Sequence, residues 1–157
     1  PSLVGSEMCI RDSKTTYACL PHKFEAGTPN IAGVVAFKKA LDFINTTGLE
    51  KIKVHEDSLL EYAYKKLKNI DNLKVIGTAT EKSAIISFVI KGIHHYDLGL
   101  ILDKMGVAIR TGHHCTQPIM KKFNISGTSR ISFAYYNTIG EVDYFIESLK
   151  KAIKMLS

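Results

Sequence analysis

A chain of 157 residues that is 45% hydrophobic and 23% charged has the composition of a folded globular protein with one core, which excludes a disordered or collagen-like chain. Its formal net charge of +6 comes mostly from lysines spread along helix-patterned segments, and arginine occurs only at Arg11, Arg110 and Arg130, so the clustered arginine of a nucleic-acid surface is missing. Irregularly spaced Cys9, Cys19 and Cys115 fit neither a disulfide framework nor a paired-ligand zinc motif, so a reducing, cytoplasmic compartment is expected, and no apolar run approaches the roughly 20 residues that cross a bilayer.

The chain opens on Pro1, and residues 1–13, PSLVGSEMCIRDS, show neither a helical nor a strand period. They are expected to be a non-native or disordered leader in which Cys9 and Arg11 have no role, with residues 14–157 forming one region of a longer protein. After a loop from Thr15 to Ala26, the run Gly27-Thr28-Pro29-Asn30 predicts a helix start, with Thr28 as cap and Pro29 in the first position. Ile31, Val34, Val35, Ala36, Leu41 and Ile44 recur at helical spacing, and Asn45-Thr46-Thr47-Gly48 supplies the stop. A second helix is expected from Leu49 to Asn69, burying Ile52, Leu59, Leu60, Tyr62, Ala63 and Leu67.

From Leu73 the texture changes. Leu73 to Ile76 and Ala84 to Ile90 are short runs rich in isoleucine and valine, and read as strands. Helical spacing returns from His95 to Met105, where His94 and His95 beside Asp97 read as capping or surface residues. A strand is expected over Val107 to Arg110, a short helix over Pro118 to Phe123, a strand over Ser129 to Tyr135 and a last helix over Ile139 to Leu156. This order predicts an α+β class: two long N-terminal helices, then a small, mainly antiparallel sheet with helices on one face, not a doubly wound parallel sheet.

The string Arg110-Thr111-Gly112-His113-His114-Cys115-Thr116-Gln117-Pro118 follows directly on a predicted strand. Cationic neighbours favour the thiolate, the nucleophilic form of cysteine, so Arg110 and either histidine offer a route to an activated Cys115. The composition of this loop leaves other readings open: a zinc site on His113, His114 and Cys115, a buried inert cysteine, or a cysteine-histidine hydrolase without an identified third group.

Together with Lys23-Phe24-Glu25-Ala26-Gly27-Thr28-Pro29-Asn30 upstream and Ser129-Arg130-Ile131-Ser132-Phe133-Ala134-Tyr135-Tyr136-Asn137-Thr138 downstream, this string resembles the C-terminal region of the SufS-like cysteine desulfurases. These are class V aminotransferases of the fold-type I pyridoxal-phosphate enzymes, and the likeness runs from Thr15 to Leu156. It implies that Cys115 attacks the sulfur of a bound L-cysteine, leaving L-alanine and an enzyme persulfide, and that Arg130 grips the substrate carboxylate through its planar fork. Arg110 and His114 would shape the cysteine loop on the substrate side, and Gly27 and Thr28 would reach the phosphate of the pyridoxal 5'-phosphate held by the neighbouring subunit of a homodimer.

The resemblance also implies that the cofactor-bearing lysine sits in a preceding large domain. His22-Lys23 is not assigned that task, because Phe24 to Gly27 follow it in the pattern of the later phosphate motif. The complete protein would be cytoplasmic and would pass sulfur to an acceptor protein of iron-sulfur cluster assembly, with this region inactive alone. Selenocysteine lyase activity and a non-catalytic binding module are the alternatives.

Overall fold

The computed structural model describes residues 6–7, 16–24 and 27–157. The chain divides into two compact units, Pro1–Gly48 and Leu49–Ser157.

In the first unit, β1 (Ser6–Glu7) pairs antiparallel with β2 (Thr16–Tyr17), and a 3-10 turn covers His22–Phe24. Of the leader expected over 1–13, Ser6 and Glu7 alone are described; Cys9 and Arg11 lie outside the described residues. Helix α1 spans Ile31–Thr47, and its cap is Asn30, whose side chain accepts a hydrogen bond from the Gly33 amide at 3.0 Å. Thr28 therefore does not cap it, and Pro29 stands outside the helix with its carbonyl accepting from the Ile31 amide at 2.8 Å. Asparagine caps as well as threonine does, and here it lies nearer the apolar stripe. None of the residues of α1 is buried: Ile31, Val34, Val35, Phe37, Leu41 and Phe43 are exposed along it.

The second unit holds α2 (Leu49–Leu67), β3 (Leu73–Ile76), β4 (Ile85–Ile90), α3 (His95–Lys104), β5 (Arg110–Gly112), α4 (Gln117–Phe123), β6 (Thr128–Ser132) and α5 (Ile139–Leu156). Its sheet runs in the order β3-β4-β6-β5 with every pair antiparallel. Alternation sends Ile86, Phe88 and Ile90 of β4, and Ile131 of β6, to a buried face. There they meet Leu59, Ala63 and Leu67 of α2, Leu98 and Leu102 of α3, and Val142, Phe145 and Leu149 of α5. Phe88 is fully buried, with its ring centroid 6.4 Å from that of Phe145. Burying a side chain of that size contributes about 2–3 kcal/mol. Ile52 and Tyr62, expected in the stripe of α2, are only half-buried.

Two strand boundaries differ from the sequence reading. The run Val107 to Arg110 is not a strand: the Val107 amide bonds back to the Leu102 carbonyl at 2.9 Å, closing the end of α3 around Gly106, whose φ of 76° suits glycine. Val107 and Ile109 pack against the core without joining the ladder, and pairing begins only at Arg110. At the other boundary β6 stops at Ser132. Phe133 leaves to bond the Ala84 carbonyl at 2.9 Å, and Asn137 Oδ1 accepts from the Ala134 amide at 2.8 Å to turn the chain.

Candidate functional site

Register places the candidate arginines on the sheet face opposite the core. Arg110 on β5 stands directly across from Arg130 on β6, which also faces Ser87 on β4. Thr128, two residues before Arg130, shares that face and stands across from Gly112. Like charges directly opposite one another in a ladder are destabilising. Among the described residues neither arginine has a carboxylate within ion-pair distance, and Arg130 Nε is buried with no hydrogen-bond partner. What the two guanidinium groups can do is bind a planar carboxylate or another small anion.

The cysteine loop leaves this face at Gly112, whose φ of 118° is open to glycine alone without strain. Its next turn is built from local bonds. Thr116 donates its amide at 2.9 Å and its hydroxyl at 2.7 Å to the His113 carbonyl, and the Cys115 amide donates to His113 Nδ1 at 3.1 Å. His114 and Cys115 both take left-handed backbone angles, φ 53° and 58°. Cys115 is exposed, three residues beyond the strand's last residue and just before α4, so it is not an inert core thiol.

His114 folds back onto the arginine face, where its Nε2 lies 2.9 Å from the hydroxyl of Thr128, a residue 1% exposed. Burial holds its imidazole below the ordinary range; the Arg130 charge pushes the same way, the Thr128 backbone hydrogen bond opposes it, and Arg110 and His113 lower it further. His114 is thus neutral near pH 7, and the positive charge on this face comes from the arginines. With His114 Nε2 turned to Thr128 and His113 Nδ1 holding the Cys115 amide, the three side chains do not converge as metal ligands. Among the described residues no group of three His, Cys, Asp or Glu does.

Elsewhere, His94 caps α3 by accepting from the Tyr96 amide at 3.4 Å. His95 is half-buried rather than a surface residue, with Nδ1 buried and unpartnered and its imidazole held low chiefly by burial. A Cβ at Gly127 would collide with the His95 ring and the Gly112 backbone, so glycine there lets the loop before β6 close against α3. In the first unit, Gly27 and Thr28 form an exposed turn ahead of α1, with φ 92° at Gly27 and nothing within 4 Å of the place a Cβ would take. The Thr28 hydroxyl has no hydrogen-bond partner among the described residues, and it is free to meet an oxyanion. His22 and Lys23 lie in the 3-10 turn, with Lys23 Nζ 6.0 Å from the centroid of the Tyr17 ring.

The sequence reading missed Thr128 altogether, and no local pattern marks it: its partner lies 14 residues away in the chain. The pairing of Arg110 with Arg130 was equally out of reach, because register is not encoded in either segment alone.

The profile of the aminotransferase class-V family matches residues 1–145. A probable cysteine desulfurase of Xylella fastidiosa is 42% identical over 99% of this chain, and the chain spans 38% of that relative's length. The cysteine desulfurase of Wigglesworthia glossinidia brevipalpis is 46% identical over 92% of the chain, which spans 35% of it. Among solved structures, the cysteine desulfurase CsdA of Escherichia coli superposes with a TM-score of 0.79 at 30% identity, covering 98% of this chain and 38% of its own. The five α-helices and the four-stranded antiparallel sheet of the described residues match the C-terminal part of such fold-type I enzymes. With the profile match running over nearly all of its length, the chain belongs to the aminotransferase class-V family.

Proposed function

We propose that the complete protein is a SufS-like cysteine desulfurase, converting L-cysteine to L-alanine and a persulfide on Cys115. One observation carries the reading: an exposed thiol on a left-handed turn leaves the sheet face on which Arg110 and Arg130 stand opposite one another, without carboxylate partners among the described residues. Arg130, with Arg110 beside it, takes the carboxylate of the amino acid. Cys115 attacks the substrate sulfur. A sulfur-sulfur bond forms as the substrate's carbon-sulfur bond breaks, and the electron pair left on carbon takes up a proton to give alanine. His114, neutral and folded onto the arginine face, positions the loop without adding charge.

Pyridoxal phosphate, when bound, supplies the electron sink that makes cleavage next to the α-carbon accessible. The unengaged Thr28 hydroxyl and the open turn at Gly27 fit its phosphate, consistent with a homodimer in which this turn serves the neighbouring subunit. This region alone is inactive. The persulfide then passes to an acceptor protein of iron-sulfur assembly in the cytoplasm. In the full-length protein, Cys115→Ala abolishes persulfide formation, whereas Arg130→Ala raises KM for cysteine at least tenfold, the loss of about 1.4 kcal/mol or more of charge-assisted binding. Alanine and persulfide are to be assayed separately. Undiminished sulfur transfer in Cys115→Ala refutes the assignment.

A further inference from the structure

Two consecutive non-glycine residues in left-handed conformation, His114 at φ 53° and Cys115 at φ 58°, make a strained turn of the sort that persists only where its surroundings fix it. Most of what surrounds this turn is local. The bonds of His113 to Cys115 and Thr116 span no more than three residues, and would travel with the loop if it swung. Among the described residues, the side-chain hydrogen bond that ties the turn to the sheet is that between His114 Nε2 and Thr128 Oγ1, at 2.9 Å. Thr128 suits an anchor: it is 1% exposed and pairs with Gly112, the last strand residue before the loop. His114 Nδ1 is buried with no partner, so the Thr128 hydroxyl is the only side-chain partner its ring has among the described residues.

We propose that Thr128 is a positioning residue for sulfur transfer: its hydroxyl holds the His114 ring against β6, and through it the left-handed turn that presents Cys115. This rests on the reading of Cys115 as the nucleophile and assigns the distant residue that aims it. At 1% exposure, Thr128 offers almost no surface to a substrate or cofactor. Its loss acts on the fraction of time the thiol spends in the reactive geometry, which lowers kcat and leaves KM for cysteine, set by the arginines, unchanged.

The test uses the full-length, cofactor-loaded protein. Thr128→Val keeps the shape and removes the hydroxyl; kcat for persulfide formation is expected to fall about tenfold with KM within twofold, the size of one buried hydrogen bond of about 1.4 kcal/mol. Thr128→Ser restores the hydroxyl without the methyl, and is expected to recover kcat to within about twofold of the parent. His114→Phe removes the same bond from the other end, and the double variant Thr128→Val/His114→Phe is expected to lose no more than the worse single variant.

A Thr128→Val enzyme with parental kcat, a Thr128→Ser enzyme as slow as Thr128→Val, or additive losses in the double variant each overturn the proposal. If Thr128→Val does not accumulate as folded protein, Thr128→Ser and His114→Phe decide the matter: the first must stay active and the second must not. Cys115→Ala, run alongside, separates the two claims. Persisting sulfur transfer there removes the nucleophile assignment, whereas its loss together with a parental Thr128→Val removes only the anchor.

Discussion

At His114 burial and two guanidinium charges act together against protonation, and the Thr128 hydroxyl accepts or donates equally well to a neutral ring. His95 is held low chiefly by burial as well. The sign of the consequence is fixed. As pH falls below the ordinary imidazole value, the unfolded chain binds protons at these two positions that the folded chain refuses, so stability is full at neutral pH and declines as acidity rises from there. Denaturant midpoints measured across that range should fall with acidity, and His95→Gln should flatten the decline. A slope left unchanged by His95→Gln would show that the His95 ring is not shielded as described.

At the scale of elements, the helices were legible where apolar spacing and a stop signal coincide. Helix α5 runs from Ile139 to Leu156 as its periodicity predicts, and its start is fixed by a reciprocal cap in which Thr138 and Glu141 each satisfy the other's backbone amide. That signature, a threonine followed three residues later by glutamate, stands in the sequence and went unread. Thr138→Ala is expected to cost about 1 kcal/mol, seen as a lower denaturant midpoint with an unchanged slope.

Strands β3 and β4 were legible from composition, but β5 was displaced by three residues. The run Val107-Ala108-Ile109 has the look of a strand, yet Gly106 turns the chain back on α3 and leaves that run filling the core's edge. Local pattern reports which residues seek burial, not which of them find a ladder partner. For the same reason the sequence offers Cys115, Arg110 and Arg130 as candidate residues, and the register that sets the arginines opposite one another is not legible in it.

Over the whole molecule, the buried hydrophobic cluster lies within the unit Leu49–Ser157, from Leu59 on α2 to Ala152 on α5. Residues 49–157 produced alone are therefore expected to melt in one cooperative transition by circular dichroism; a broad, non-cooperative melt would show that the first unit is needed to hold the core. Phe88, at the centre of β4, is the side chain whose truncation to alanine should damage that transition most, by about 3–5 kcal/mol.

The adjoining guanidinium groups of Arg110 and Arg130 couple that melting behaviour to solutes. Folding brings two positive charges together with no carboxylate paired to either among the described residues, so the native state is the better home for any small acid in solution. A carboxylate captured between them becomes a folding ligand, and heat resistance climbs with the logarithm of its concentration. A carboxylate bound there would then steady the very strands that hold it.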